Sequence, residues 1–169
     1  VGFAGEIGHL PVNPTGSACR CGATGCWETE IGERTLLARA GYPPDAGRAG
    51  VDALLAEATG GSPRVLAALD EVGSWLAVGL GGLVNVLNPR LVVLGGLHAR
   101  TYPFVRERVE AELGRHSLPG SRSLVTIVPA ALGAEAPLVG AAELAFEPLL
   151  SDPLAFFDRL ATPLRLASA

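Results

Sequence analysis

The chain has 169 residues, of which 49% are hydrophobic and 18% are charged, and its formal net charge is −4 at pH 7. This length and composition predict a globular chain with a sizeable core, built as one domain or two small lobes, and argue against a disordered one. No short stretch gathers three arginines, so the chain lacks the basic surface with which proteins grip nucleic acids.

The first thirty residues are rich in glycine, proline and threonine and contain all three cysteines. This pattern predicts a strand end followed by a long functional loop. A helix is predicted next from about Thr29 to Ala40, because glycine and two prolines follow it. A second helix is predicted around Gly50 to Ala58, before Gly60 and Gly61.

The longest predicted helix begins at Ser62-Pro63 and stops at Asn88-Pro89. Apolar residues recur along it at spacings of three and four, at Val65, Leu66, Leu69, Val72, Leu76, Leu80, Leu83 and Leu87. Residues 72–89 carry no charge, but their glycines, asparagines and proline favour a buried helix over a membrane span. Three glycines in this helix predict a neighbour packed closely against bare backbone, at Gly79, Gly81 and Gly82.

The second half alternates strands and helices. The apolar run Leu91 to Leu94 predicts a strand buried on both faces, ended by Gly95 and Gly96. A helix from Tyr102 to Arg115 and a strand from Leu124 to Val128 are predicted next. Two final helices are predicted near Ala136 to Leu150 and Pro153 to Leu164, with a cap at Ser151-Asp152. Strands separated by helices predict an α/β fold with crossover connections.

The cysteines are unusually close together. Cys19, Cys21 and Cys26 form a C-x-C-x4-C pattern, and His9 lies ten residues before the first of them. Glycines in the last interval allow the backbone to fold tightly. Three thiolates and an imidazole suit a four-coordinate structural Zn²⁺, which leaves no open position for catalysis.

Two alternatives remain open at this point. The cysteines can be buried free thiols beside a loop histidine, or one pair can form a disulfide, Cys19 with Cys21 or Cys21 with Cys26. Three cysteines cannot all pair within one chain, and no secretory signal opens the sequence. A reducing, cytoplasmic location is therefore expected.

At these residues the sequence resembles the ROK family of repressors, open reading frames and sugar kinases. "GEIGH" at Gly5 to His9 and "CRCGATGCWE" at Cys19 to Glu28 match the hallmarks G-E-x-G-H and C-x-C-G-x-x-G-C-x-E. "LVNVLNPRLVVLGG" from Leu83 and "LGAEAPLVGAAELA" from Leu132 resemble two further family segments. The likeness therefore covers nearly the whole chain.

The resemblance implies the actin-like ATPase (ribonuclease H-like) sugar-kinase fold, of which residues 1–169 would form the C-terminal lobe. Within it we expect a sugar and zinc loop at 1–28, an α/β core at 29–150 and a helical tail at 151–169. The chain begins without methionine, inside what reads as a strand and turn. We therefore expect a fragment, with the N-terminal lobe and any helix-turn-helix module outside it.

The resemblance also implies the roles of particular residues. Glu6, His9 and Glu28 would contact the hydroxyls of a sugar, and His9 would bind zinc together with the three cysteines. Two carboxylates suit this task because charge-assisted hydrogen bonds discriminate between hydroxyl arrangements. Gly95 and Gly96 would lie where kinases of the family place nucleotide phosphates. No catalytic residue is assigned within the chain.

Two functions are compatible with this likeness. Kinases of the family tend to end soon after the G-A-A helix, whereas this chain continues from Phe146 to Ala169, as repressors from high-GC bacteria do. We therefore predict the effector-binding portion of a sugar-responsive transcriptional regulator, with a sugar kinase that uses ATP and Mg²⁺ as the alternative. A zinc-stabilised interaction module without a small ligand is a third possibility.

The expected partners follow from that prediction. They are a small sugar, further copies of the chain in a dimer or tetramer, and DNA only through a module outside these residues. Phe156 and Phe157 make the tail helix a plausible contact between copies. No membrane partner is expected.

Overall fold

The computed structural model of the chain describes residue 2 and residues 4–161. The chain divides into two compact units, with the boundary between Ala130 and Ala131. The division predicted from the sequence, at 28/29 and 150/151, remains a prediction.

The first unit begins with a loop that contains a short 3₁₀ turn, Ile7–His9. Helices and strands then follow in chain order: α1 Trp27–Ile31, α2 Glu33–Arg39, α3 Gly47–Thr59, α4 Pro63–Leu87, β1 Leu91–Leu94, α5 Gly96–His116, α6 Pro119–Leu124 and β2 Thr126–Pro129. The alternation of helices and strands confirms the predicted α/β class.

Helix α4 is the central element of this unit, and it contacts α1, α2, α3, α5 and α6. It is long and apolar enough to cross a membrane by composition alone, but 56% of that stretch is buried inside the structure. Its apolar residues join one hydrophobic core with those of α1, α2, α3 and α5. The prediction of a buried core helix is therefore confirmed.

Two of the three glycines of α4 have the close neighbours that the sequence predicted. A Cβ atom at Gly79 would lie 2.1 Å from the Trp27 ring, and one at Gly81 would lie 2.7 Å from His116 Cβ. Gly82 has nothing within 4 Å of that position, so the prediction is wrong for this residue. Helix α4 ends at Asn88, whose left-handed conformation (φ 46°) stops the helix before Pro89.

The sheet of the first unit has two parallel strands among the described residues, with Leu91 opposite Thr126 and Leu94 opposite Pro129. Helix α5 connects the strands and packs on both of them. Leu94 is buried, but Leu91 and Val93 are each 55% exposed. The predicted strand with two buried faces is therefore wrong, because among the described residues the helices cover one face only.

Several boundaries differ from those predicted. The helix expected at Thr29 to Ala40 is broken at Gly32, whose extended backbone (ψ 160°) separates α1 from α2. Helix α5 begins at Gly96 rather than Tyr102, because the helix continues through Pro103. The six-residue α6 was not predicted, and β2 begins two residues later than expected.

The second unit contains a 3₁₀ turn at Gly133–Glu135, helix α7 Ala136–Ser151 and helix α8 Pro153–Ala161. The Asp152 carboxylate accepts a hydrogen bond from the Ala155 N–H at 2.9 Å, and Pro153 is the first residue of α8. The predicted cap and helix-starting proline are therefore confirmed. The last three residues predicted for this helix, 162–164, lie outside the described residues.

Candidate metal and ligand site

The backbone of residues 9–26, which we call the cysteine loop, folds back on itself twice. Isolated antiparallel bridges join Pro11 to Cys26 and Ala18 to Thr24. The Val12 and Asn13 N–H groups both donate to the Gly25 carbonyl, at 2.9 and 3.1 Å. Gly25 has a φ of +67°, and a Cβ atom there would lie 1.6 Å from the Asn13 oxygen. Only glycine fits at this crossing.

This folding brings the four predicted metal ligands together. One ligand atom from each of His9, Cys19, Cys21 and Cys26 lies within 4.8 Å of all the others. The Cys21 and Cys26 sulfurs are 3.5 Å apart, and Cys19 Sγ is 3.5 Å from His9 Nδ1. All three cysteines are free thiols, so the alternative with a disulfide is not observed.

The donor set fits a zinc ion. Two sulfurs bonded to Zn²⁺ at about 2.3 Å lie about 3.8 Å apart in a tetrahedron, near the sulfur separation in the loop. Three thiolates and one imidazole nitrogen also match the soft ligands that structural Zn²⁺ takes. The four side chains can therefore hold a metal ion, and they leave no ligand position for water.

The thiols differ in acidity. Burial raises the pKa of Cys26 to about 12, and hydrogen bonds with the Cys21 and Cys19 sulfurs act in the same direction. A hydrogen bond from the Ala23 backbone lowers the pKa of Cys21. Zinc binds thiolates, so a metal must displace the proton from Cys26, and metal affinity is expected to fall as the pH falls.

Glu28 lies directly against the ligand cluster. Its Oε1 is 3.3 Å from Cys19 Sγ and 3.6 Å from His9 Nδ1. Arg20 pairs with the same carboxylate at 3.5 Å, although 82% of the arginine side chain is exposed. The start of helix α1 fixes the position of Glu28. Trp27, between Cys26 and Glu28, has its ring buried against α4. Trp27 is therefore a packing residue of the core.

Glu6 is in a different position from the other predicted sugar ligands. It precedes the 3₁₀ turn that ends at His9, and its side chain is exposed. Among the described residues no hydrogen bond or ion pair involves its carboxylate. The structure therefore brings His9 and Glu28 together, whereas the carboxylate of Glu6, three residues before His9, is open to solvent.

A cavity of about 560 Å³ adjoins the cysteine loop on the side of Glu28. Its volume lies within the range of small-molecule sites. Most of its lining residues have polar or charged side chains, although carbon atoms form the larger part of the lining surface: Ser17, Ala18, Arg20, Glu28, Thr29, Gly32, Glu33, Arg34 and Thr35. Except for Glu28, sequence reasoning missed these residues, because nothing in their spacing distinguishes them from a solvated loop and helix start.

The sequence also provided no indication of a buried polar cluster around Glu30. Glu30 is only 3% exposed, and its carboxylate binds Arg39 and Asn13. The sequence signal is weak, since a glutamate in a short helix is normally a surface residue.

Gly95 directly follows the carboxyl end of β1, and Gly96 is the first residue of α5. Gly96 has a φ of +54°, and neither glycine has an atom within 4 Å of a Cβ position. The backbone is therefore accessible at a strand end that leads into a helix N-terminus. Nucleotide binding there remains a prediction.

Comparison with known proteins identifies relatives of two kinds. The sequence profile of the ROK family matches residues 1–147. The xylose repressor of Bacillus spizizenii is 28% identical over 149 residues, which cover 88% of this chain and 38% of the repressor. The glucokinase of Streptomyces coelicolor is 30% identical over 170 residues, which cover 90% of this chain and 53% of the enzyme.

A solved structure gives the same result for the fold. The ROK family glucokinase from Streptomyces griseus, in complex with glucose and AMPPNP, superposes with a TM-score of 0.70 at 27% identity. The superposition covers 83% of this chain and 51% of the glucokinase. The chain thus spans about half the length, or less, of the relatives it matches.

Proposed function

The chain belongs to the ROK family, and on this premise we propose that it is the sugar-sensing portion of a transcriptional regulator of carbohydrate metabolism. Its fold is the α/β, actin-like fold of the family's sugar kinases. In this proposal a structural zinc ion holds the cysteine loop, and a small sugar binds beside it. The sugar ligands are Glu6, His9 and Glu28.

The observation that carries this proposal is the position of Glu28. Its carboxylate touches the predicted metal ligands on one side and lines the 560 Å³ cavity on the other. A carboxylate can accept hydrogen bonds from two neighbouring sugar hydroxyls. The Ser17 hydroxyl also lines the cavity and can donate or accept a further hydrogen bond. The Thr29 and Thr35 hydroxyls already donate to backbone carbonyls, so they can accept from a sugar.

The proposed metal would not contact the sugar and would only fix the positions of the side chains that bind it. Zn²⁺ held by His9, Cys19, Cys21 and Cys26 would supply structural rigidity. His9 directs Nδ1 toward the sulfurs, which leaves the other ring nitrogen available for a hydroxyl. A fixed imidazole and a fixed carboxylate then present a rigid hydrogen-bonding surface to the sugar.

A regulator is supported by two observations. The similarity to the Bacillus xylose repressor extends over 88% of the chain. The family profile stops at residue 147, whereas the chain continues into α8. In this proposal the protein is cytoplasmic and forms a dimer or tetramer, with Phe156 and Phe157 of α8 as a contact between copies. DNA binds only through a module outside these residues.

A sugar kinase is the second candidate, and one feature favours it. Gly95 and Gly96 leave open backbone at the N-terminus of α5, a geometry suited to the phosphates of ATP with Mg²⁺. Similarity to the Streptomyces glucokinase, 30% identity over 90% of this chain, supports this reading as well. The catalytic base would then lie outside the chain.

Calorimetry on the intact protein tests the proposal. Titration with gluconate, glucose, xylose and N-acetylglucosamine should reveal one that binds without ATP, and no sugar should be phosphorylated when ATP is added. Phosphorylation would establish the kinase instead.

Glu28→Gln and Glu6→Gln should each weaken sugar binding about tenfold, whereas Glu107→Gln, on the exposed face of α5, should not. If both site variants bind sugar as the control does, the proposed sugar ligands are wrong. The zinc-stabilised interaction module without a small ligand would then be the remaining function.

A further inference from the structure

The first unit contains a buried ion pair that the proposed site does not use. Arg39 Nη2 donates to Glu30 Oε2 at 2.8 Å, and Arg39 Nη1 donates to the Glu30 backbone carbonyl at 2.7 Å. The Glu30 side chain is 3% exposed and that of Arg39 is 21% exposed. A buried carboxylate is stable only when its oxygens are paired, so the partners of the remaining oxygen matter.

That remaining oxygen, Glu30 Oε1, accepts a hydrogen bond from Asn13 Nδ2 at 3.1 Å. Asn13 belongs to the cysteine loop, and its Oδ1 accepts from the Thr15 N–H and hydroxyl. A Cβ atom at Gly16 would lie 2.3 Å from Glu30 Oε1. The loop therefore rests directly on this carboxylate, with glycine where it comes closest.

The asparagine is also bonded to the backbone next to a metal ligand. The Asn13 N–H donates to the carbonyl of Gly25, and Gly25 immediately precedes Cys26. At the other end of the network, Arg39 Nε lies 3.1 Å from Glu71 Oε1 on α4. A continuous chain of polar contacts thus runs from the metal-ligand segment to the central helix.

We propose that Asn13 and Glu30 are positioning residues that hold the cysteine loop in its metal-binding shape. Arg39 acts as the fixed base of this network, because it donates one hydrogen bond to the Glu30 carboxylate and one to the Glu30 backbone carbonyl, and it also contacts Glu71 on α4. The loop therefore has an anchor independent of the metal. If the anchor also positions Glu28 and His9 for a sugar, that consequence rests on the function proposed above.

The test uses Asn13→Asp in the intact protein. This change keeps the oxygen that accepts from Thr15, but it removes the donor to Glu30 and places two carboxylates together. We expect zinc transfer to a chromophoric chelator to be on the order of tenfold faster, as for other groups that orient metal ligands. The control Glu71→Gln removes a half-exposed partner of Arg39 and should change the rate less than twofold.

A reciprocal variant isolates the hydrogen bond itself. In Asn13→Asp combined with Glu30→Gln, the donor and acceptor exchange places while the number of carboxylates stays the same. If the bond positions the loop, the double variant should release zinc more slowly than Asn13→Asp alone. Equal release rates in Asn13→Asp, the control and the unaltered protein would overturn the proposal, as would faster release fully accounted for by a lower melting temperature.

Hydrogen exchange gives a readout without metal. In protein treated with chelator, the Asn13 and Gly16 amides should exchange faster in Asn13→Asp, while amides in α4 remain protected. Equal exchange in both proteins would also contradict the anchor. Since neither measurement uses a sugar, failure of the sugar titrations would refute the proposed function and leave this inference standing.

Discussion

The cysteine loop and the helical core of the first unit obtain their shapes from different interactions. In the core, α4 packs on its neighbouring helices through a continuous set of buried Leu, Val and Ala side chains. In the cysteine loop, only Cys19, Gly25 and Cys26 are buried. Its shape depends on backbone hydrogen bonds, on glycine at one crossing, and on side chains that can hold a metal.

The difference determines how each region tolerates change. Apolar packing is spread over many side chains, so the loss of one weakens the core without removing its shape. The loop has few contacts, each with a specific geometry, so the loss of one can remove the site. Substitutions in the loop should therefore affect zinc binding, and substitutions in the core should affect the free energy of unfolding.

The largest effect is expected for Cys26→Ser. A structural zinc site contributes ~10–16 kcal/mol of binding free energy, and removing one of its four ligands should lose about a quarter of it. Zinc affinity should therefore fall a few hundredfold or more. Competition with a chelator measures the affinity, and sugar binding should be lost with it. Far-UV circular dichroism should be unchanged, because the helices do not depend on the loop. Thr24→Ser, which removes a methyl group from an exposed residue of the loop but keeps every ligand, should behave as the unaltered protein.

Gly25→Ala should have the next largest effect. The added methyl would overlap the Asn13 carbonyl, and the residue has a positive φ. Zinc affinity should fall on the order of 100-fold, while thermal unfolding of the core changes little. The matched control is Gly22→Ala, since Gly22 has a φ of +93° but open space at its Cβ position. Equal losses in both variants would assign the effect to backbone strain rather than to the crossing.

Leu54→Ala should show the opposite pattern. This fully buried side chain of α3 leaves a cavity when truncated, and the free energy of unfolding should fall by about 3 kcal/mol. Zinc release should stay the same. Chemical denaturation gives the first quantity and chelator transfer the second. Leu66→Ala, at a position 37% exposed, should cost much less. A faster release of zinc from Leu54→Ala would mean that the loop and core are not separable.

The smallest effect concerns His98 of α5. Burial lowers the pKa of this histidine below its ordinary 6.5, so the folded protein resists protonation while the unfolded chain does not. The unfolding free energy should therefore be highest above pH 6.5 and fall as the pH drops below it, by at most about 1.4 kcal/mol per pH unit. His98→Gln should flatten this dependence. His116→Gln serves as the control at an exposed histidine, and an unchanged slope in His98→Gln would contradict the assignment.

The same contrast explains what the sequence could predict about the site. Metal-ligating residue types at short spacing predict a metal site directly, so the sequence could name His9 and the three cysteines, whose ligand atoms lie within 4.8 Å of one another. Glu30 and Asn13 were missed because they are 17 positions apart and their contact depends on how the loop folds. The polar cavity beside Glu28 was missed for the same reason.

In the fold, long periodic segments were predicted best. Helix α4 carries seven turns of apolar spacing, which no local feature overrides. Errors occurred where one residue decides the geometry. Gly32 breaks a helix that its neighbours favour, and α5 begins at Gly96, before the predicted Tyr102, and continues through Pro103. The exposure of Leu91 and Val93 could not be inferred, because it depends on which face the helices cover.

The three consecutive residues Cys26, Trp27 and Glu28 face three different environments: the cluster of sulfurs, the indentation at Gly79 and the polar cavity. Successive side chains on a helix are turned by about 100° from one another. Inserting or deleting a single amino acid here would rotate each side chain into its neighbour's surroundings and misplace all of them at once. The length of this stretch is therefore as tightly constrained as the identity of its three side chains.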